Sequence, residues 1–120
     1  MASITGTTSS DAITSSGNAD EITGLAGGDT ITSLGGADLI YGNQGGDSIL
    51  SGGGDDTVFG GQDSDIISTG ADADFVYGNL GNDTMSAGAG ADVLYGGQGN
   101  DSLLAGAGAD TVKGQLGNDI

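Results

Sequence analysis

The hydrophobic positions of the chain recur every nine residues. An aliphatic side chain stands at each ninth position, and its immediate neighbours form a different, more variable series. Such a residue is the inward-facing centre of a short strand whose two neighbours point outward. The pattern predicts three-residue strands separated by six-residue glycine-rich loops. The aliphatic series is Ile13, Ile22, Ile31, Ile40, Ile49, Val58, Ile67, Val76, Met85, Leu94, Leu103 and Val112.

Aspartate marks the same nine-residue period, two positions before each aliphatic residue. We call these the repeat aspartates and count positions from them, so that −2 lies two residues before the aspartate. Glycine fills most −2 positions, and the exceptions are Ser9, Asn18, Asp63 and Asp72. The repeat aspartates are Asp11, Asp20, Asp29, Asp38, Asp47, Asp56, Asp65, Asp74, Asp83, Asp92, Asp101, Asp110 and Asp119.

A second period of eighteen residues appears at position −5, where glycine alternates strictly with a small residue. Two strands and two loops per eighteen residues make one coil of a solenoid, and stacked coils bury the aliphatic ladder between two sheets. We therefore predict an all-β fold: a parallel β-solenoid with 18 residues per coil and two short-stranded parallel sheets, forming a single domain over residues 1–120. The −5 series is Gly6, Ser15, Gly24, Ser33, Gly42, Ser51, Gly60, Thr69, Gly78, Ala87, Gly96, Ala105 and Gly114.

The charge is strongly one-sided, with 17 acidic residues against the single basic residue Lys113 and a formal net charge of −16. This balance argues against nucleic acid or an anionic membrane as a partner. No apolar run is long enough to cross a bilayer. Aspartates on adjacent coils would lie about 5 Å apart and repel by roughly 3 kcal/mol per pair. The pattern therefore predicts that cations lie between the coils.

Calcium is the cation that the residues favour. It takes six to eight oxygen ligands from carboxylates and main-chain carbonyls, and glycine lets a loop turn its carbonyls toward one point. The chain has no histidine and no cysteine, which disfavours zinc and softer metals. Magnesium is less suited because it demands a tight octahedron and gives up water reluctantly.

Two segments, Gly78–Ser86 and Gly96–Leu104, resemble the RTX nonapeptide repeat of haemolysin-type proteins. The resemblance covers essentially the whole chain and implies a parallel β-roll in which each calcium ion is clamped between loops one coil apart. It would pair Asp83 with Asp101 along one edge and Asp74 with Asp92 along the other. We predict multiple Ca²⁺ ions bound by Asp20, Asp29, Asp38, Asp47, Asp56, Asp65, Asp74, Asp83, Asp92, Asp101, Asp110 and Asp119.

The match to the repeat is uneven. Residues 7–10 lack the loop glycines and residues 15–19 match only in part, so residues 1–23 are interpreted as degenerate N-terminal capping repeats with weak or absent ion sites. Asp63 and Asp72 replace loop glycines, and two interpretations remain open: they strengthen a site, or they face solvent.

The outer faces of the two predicted sheets differ. One carries mainly serine and threonine, whereas all five aromatic residues fall on the other. Two interpretations are open: cross-strand stacking that stabilises the sheet, and an apolar contact patch for another domain, a second copy or a ligand. The aromatic residues are Tyr41, Phe59, Phe75, Tyr77 and Tyr95.

Three classes of function follow. The first is a calcium-binding structural module that folds on binding Ca²⁺; the resemblance implies a secreted or cell-surface protein, with export by type I secretion. The alternative is a self-assembling surface-layer, filament or adhesin component that uses the aromatic face and an open sheet edge at Ile120, as a homo-oligomer or beside a neighbouring domain. An enzyme is not expected, because no histidine or cysteine accompanies the carboxylates.

Overall fold

The computed structural model describes all 120 residues and contains 13 strands and no helix. The strands follow one another at half-coil intervals along the whole chain. In chain order they are β1 (Ser3–Thr5), β2 (Ala12–Thr14), β3 (Glu21–Ala26), β4 (Thr30–Thr32), β5 (Leu39–Gln44), β6 (Ser48–Gly53), β7 (Thr57–Gln62), β8 (Ile66–Ala71), β9 (Phe75–Leu80), β10 (Thr84–Gly90), β11 (Val93–Gln98), β12 (Ser102–Gly108) and β13 (Thr111–Leu116).

The strands alternate between two sheets. The odd-numbered strands form a seven-stranded sheet and the even-numbered strands a six-stranded one, each in sequence order. Every neighbouring pair is parallel, and partner residues are 18 apart, as in Ile22 beside Ile40. The predicted β-solenoid with 18 residues per coil is confirmed. With no helix present, nothing in the structure has the form of a membrane-spanning helix.

Most strands are longer than the three residues predicted. β7, for example, continues beyond Phe59 to Gln62, because Gly61 and Gln62 stay in register with Asn43 and Gln44 of the preceding coil. The corner is turned at position −4, where Asn43 has a φ of 81°. This left-handed residue bends the strand without ending its pairing.

The aliphatic ladder forms the core. Ten of its members, from Ile13 to Leu94, are buried, and Ala87 joins them in one cluster. Leu103 is partly buried against this cluster. Val112 is 44 % exposed because no later strand of the six-stranded sheet lies opposite it.

All five aromatic rings lie on the outer face of the seven-stranded sheet, as the pattern predicted. Tyr41 stacks on Phe59 with ring centroids 5.2 Å apart, and Tyr95 meets Phe75 and Tyr77 edge-on. Lys113 continues the column, with its ammonium 5.6 Å from the Tyr95 ring. These contacts join strands of successive coils, so the rings stabilise the sheet by cross-strand stacking.

Candidate metal centre

The loops between the sheets stack into two rows, one along each edge of the solenoid. We name the rows after their −5 residues. The glycine edge consists of the loops that lead into the six-stranded sheet and end at Asp11, Asp29, Asp47, Asp65, Asp83, Asp101 and Asp119. The hydroxyl edge consists of the loops that lead into the seven-stranded sheet and end at Asp20, Asp38, Asp56, Asp74, Asp92 and Asp110, and four of its six −5 residues carry a hydroxyl group.

Each carboxylate is fixed by the coil before it. The main-chain N–H of one repeat aspartate donates to Oδ1 of the aspartate 18 residues later, over 2.7 to 3.1 Å. Asp83 thus donates to Asp101, and Asp74 to Asp92. The aspartates of neighbouring coils therefore lie side by side along both edges.

The second carboxylate oxygen has no such partner in the central coils. Nine Oδ2 atoms are inaccessible to solvent and accept no hydrogen bond, and their residues are at most 2 % exposed. A buried polar atom left unpaired costs about 1–3 kcal/mol, and more when it is charged. These nine atoms are the strongest indication that the aspartate rows bind a cation. They belong to Asp29, Asp38, Asp47, Asp56, Asp65, Asp74, Asp83, Asp92 and Asp101.

Burial also shifts the acidity of these groups. It raises the pKa of Asp65 to about 7 and that of Asp47, Asp74 and Asp83 to about 6, against an ordinary 3.8. It raises the pKa of Asp56 as well. The amide of the preceding aspartate opposes the effect of burial at each of these positions, and neighbouring carboxylates add to it. Without a cation, these five positions therefore favour protonated carboxyl groups.

On the glycine edge, two kinds of oxygen converge beside the −5 residue. A methyl group built on Gly42 would collide with Asp47 Oδ2 of its own loop and would lie 2.5 Å from the carbonyl oxygen of Gly60, one coil later. The same pair of oxygens meets beside Gly24, Gly60, Gly78 and Gly96. Glycine thus leaves a space in which a carboxylate oxygen and a carbonyl oxygen face each other, the ligand types that calcium takes.

No group of three or more acidic side chains converges anywhere in the structure. An ion between two coils would therefore have the carboxylates of those two coils and would need main-chain carbonyls for its remaining ligands. The residues fit calcium on this count, because hard oxygen donors surround the gap and softer ligands are absent.

The first two loops are built differently. Asp11 Oδ2 accepts the amide of Thr7, and Asp20 Oδ2 accepts the amide and the hydroxyl of Ser16, over 3.1 and 2.8 Å. Ala2 donates to Asp20 Oδ1. These donors, with the Ala2 amide first, lower the pKa of Asp20 to about 2. Of the predicted ligands, Asp20 alone has both carboxylate oxygens paired with protein donors.

The backbone explains why these loops differ. Neither Thr7 and Ser9 nor Ser16 and Asn18 has a positive φ, whereas positions −4 and −2 have one in nearly all later loops. In the first two loops the −4 hydroxyl instead caps the turn, accepting the amide of Ser9 or Asn18.

The remaining predicted ligands lie near the C-terminal end. Asp110 and Asp119 are half-buried, and each accepts the amide of the aspartate 18 residues earlier. Asp63 and Asp72 are exposed and adopt left-handed backbone with φ of 74° and 77°. Asp72 accepts the amide of Gly54, one coil earlier.

Sequence reasoning missed the hydroxyl groups at position −5. Ser33, Ser51 and Thr69 are fully buried, and each donates to the main-chain carbonyl of the −5 residue one coil later. The strict alternation of glycine and small residues at position −5 pointed to these residues. It indicated the eighteen-residue period but not that their hydroxyl groups donate to a carbonyl one coil later.

A groove of about 550 Å³ runs across the outer side of the glycine edge. Its walls carry the amides of Asn43, Gln44, Gln62 and Asn79 between Leu25 and Leu80. It offers hydrogen-bonding groups and no titratable side chain.

A family model for the RTX calcium-binding nonapeptide repeat, built on four copies of the repeat, matches this chain over nearly its full length. The matched segments overlap and together run from residue 3 to residue 120. They are residues 3–31, 14–49, 32–67, 50–85, 59–94 and 86–120. A search of curated proteins gave no match.

Proposed function

Because the chain belongs to the RTX calcium-binding nonapeptide repeat family, we propose that it is a structural module that folds when Ca²⁺ binds between adjacent coils. The single observation that carries the proposal is the set of nine buried Oδ2 atoms without a hydrogen-bond partner. A fold that buries so many unpaired carboxylates is stable only if those groups are protonated or neutralised by a cation.

The residues that would hold each ion are the repeat aspartates of two neighbouring coils, with the −5 carbonyls beside them. Bound there, Ca²⁺ would supply the positive charge that the carboxylate rows lack. The chain's own part is preorganisation: the preceding amide holds Oδ1, and Oδ2 stays free of protein donors. The first 23 residues serve in this proposal as the cap, since Asp11 and Asp20 already have protein partners.

The same proposal assigns the module to a secreted or cell-surface protein. Proteins with RTX repeats are typically secreted, and extracellular calcium-binding modules bind in the range of about 10⁻⁴–10⁻³ M. With a net charge of −16, the chain would stay expanded by self-repulsion where calcium is scarce. Folding would then be coupled to arrival in a calcium-rich compartment.

The test is a calcium titration of EDTA-treated protein followed by far-UV circular dichroism. We expect a cooperative gain of β signal as calcium rises to about 1 mM, since the free energy of binding becomes free energy of folding. Magnesium at the same concentrations is the matched control and should leave the signal unchanged. A spectrum that is already β-rich in EDTA at neutral pH and unmoved by calcium would contradict the proposal.

Self-assembly through the aromatic face is a second candidate. The observation that favours it is the unbroken column from Tyr41 to Lys113, whose rings are only half-buried. Replacing Tyr77 and Tyr95 by serine should abolish calcium-dependent association in sedimentation velocity. An association that persists unchanged in this double variant would remove the candidate.

A further inference from the structure

The two edges of the solenoid present different chemistry at one equivalent position. At −5, the glycine edge has no side chain, whereas the hydroxyl edge has Ser15, Ser33, Ser51 and Thr69, followed by Ala87 and Ala105. The backbone places the −5 carbonyl in the same way on both edges, directed back at the −5 residue of the preceding coil. What differs is the group that this carbonyl meets.

On the hydroxyl edge the carbonyl meets a donor. Ser15 donates to the carbonyl of Ser33 over 2.9 Å, and Ser33 to that of Ser51 over 2.7 Å. Ser51 and Thr69 continue the ladder over 3.4 and 3.2 Å. The four hydroxyl groups thus link successive coils inside the protein, with no cation involved.

On the glycine edge the same carbonyl meets only hydrogen atoms on a glycine Cα. Beside Gly60, for example, the carbonyl oxygen of Gly78 would lie 2.9 Å from an added methyl group, and Asp65 Oδ2 approaches from the same side. Asp65 Oδ2 is among the nine buried and unpaired atoms. No side chain at position −5 lies beside this pair of oxygens, because the residue there is glycine.

We propose that the module has two unequal rows of calcium sites, and that the residue at −5 determines which row a site belongs to. The glycine edge holds its ions more tightly, because no side-chain donor approaches the −5 carbonyl and no Cβ fills the space beside it. The hydroxyl edge holds its ions less tightly, since a hydroxyl group already occupies the carbonyl and its Cβ fills part of the space. This inference rests on the proposed calcium binding and adds an order among the sites.

The test follows calcium release from the fully loaded protein after mixing with a fluorescent chelator. Release should occur in two phases: a slow one from the gaps of the glycine edge and a fast one from the gaps of the hydroxyl edge, leaving out on each edge the first gap, which belongs to the cap. The two rates should differ by about tenfold or more, the usual effect of changing a partner next to a metal ligand.

Two single substitutions exchange the character of one gap on each edge. Ser51→Gly removes the hydroxyl and the Cβ between the loops of Asp56 and Asp74, so amplitude should move from the fast to the slow phase. Gly60→Ala adds a Cβ beside Asp65, so amplitude should move the other way. Alanine is conformationally acceptable at position 60, because Gly60 does not have a positive φ.

Ser68→Gly is the matched control, since it makes the same replacement at a residue of β8 whose side chain faces the outside of the sheet and takes no part in the −5 ladder. It should leave both amplitudes unchanged. Release in a single phase, or unaltered amplitudes in the Ser51→Gly variant, would overturn the two-row inference while leaving calcium binding intact. Absence of any bound calcium in the loaded sample would instead contradict the proposed function. If Gly60→Ala prevents folding, the Ser51→Gly result decides alone.

Discussion

Asp20 and Asp56 occupy the same position of the repeat on the same edge, two coils apart, but their carboxyl groups have opposite surroundings. Asp20 accepts the amide of Ala2 on one oxygen and the amide and hydroxyl of Ser16 on the other. Asp56 accepts the amide of Asp38 on one oxygen, while its other oxygen is buried without a well-formed hydrogen bond and has only the Ser51 hydroxyl nearby to offset the effect of burial on its pKa. The pKa of Asp20 is lowered, and that of Asp56 is raised.

The difference comes from one neighbouring residue. Ser16 stands four residues before Asp20 in a loop without left-handed backbone, whereas Gly52 has a φ of 106° at the equivalent place before Asp56. The side chain of Ser16 therefore donates to the carboxylate of Asp20 from within the protein. The equivalent oxygen of Asp56 remains available to a cation from solution. The carboxylate at one position of the repeat can thus be paired either by a protein donor or by a bound cation. The two cases lead to different predictions.

The largest expected effect is on the way in which the stability of the cation-free protein depends on pH. Asp47, Asp65, Asp74 and Asp83 have raised pKa values in the folded state, so between about pH 4 and about pH 7 the folded protein binds protons that the unfolded chain has released. In EDTA, the folded fraction measured by circular dichroism should therefore fall as pH rises through this window.

The pH trend should reverse in saturating calcium, because bound ions require deprotonated carboxylates. Asp20 follows the opposite rule. Because its pKa is lowered to about 2, its contribution to the stability of the fold is fully present above about pH 4 and is lost only in stronger acid. Stability in EDTA that increases from about pH 4 to about pH 7 would contradict the unpaired state of the central carboxylates.

The next largest effect is the difference in stability between the Asp65→Asn and Asp20→Asn variants. In calcium, Asp65→Asn should destabilise the fold because a ligand of two gaps is lost, but in EDTA it should stabilise the fold because a buried unpaired charge is removed. Asp20→Asn should destabilise the protein in both conditions, since its amide nitrogen would face a donor where the carboxylate oxygen accepts one. Urea unfolding measures the two effects in calcium, and the folded fraction by circular dichroism measures the two effects in EDTA. Effects of the same sign for both variants in EDTA would remove the distinction between the two loops.

The smallest effect is expected from converting the second loop to the central type. Ser16→Gly with Asn18→Gly gives it the pattern of residues 51–56, with glycine at positions −4, −3 and −2. Calcium stoichiometry measured by equilibrium dialysis should rise by about one ion, and the folded fraction in EDTA should fall slightly, because Asp20 loses its hydroxyl donor. An unchanged stoichiometry would mean that the cap is maintained by something other than these two side chains.

The fold was predictable from the sequence because one buried aliphatic residue per nine, with a doubled period at −5, admits few other arrangements. Strand length was not predictable, since it depends on left-handed residues such as Asn43 and Leu25 that keep the corner paired. Leucine at a φ of 85° has no local preference for that conformation, and stacking between coils imposes it.

The candidate site was predictable in its residues but not in their individual roles. The aspartates and their spacing could be recognised directly, whereas the paired state of Asp20 depends on a hydroxyl group that approaches only after the turn has formed. The −5 hydroxyl ladder was equally hidden, because a serine among glycines is ordinarily a loop residue with no specific partner. Its bonds join residues 18 apart, which only the stacked coils bring together.

The amide-to-carboxylate bonds along each aspartate row all point the same way, and this gives the rod a polarity. In every interior coil, the carboxylates reach toward the N-terminal neighbour, and the aspartate amides toward the C-terminal one. A cut across the rod therefore exposes acceptors on one face and donors on the other. Along these rows, two such rods match chemically when they meet head to tail, whereas two like faces would bring carboxylate against carboxylate or amide against amide.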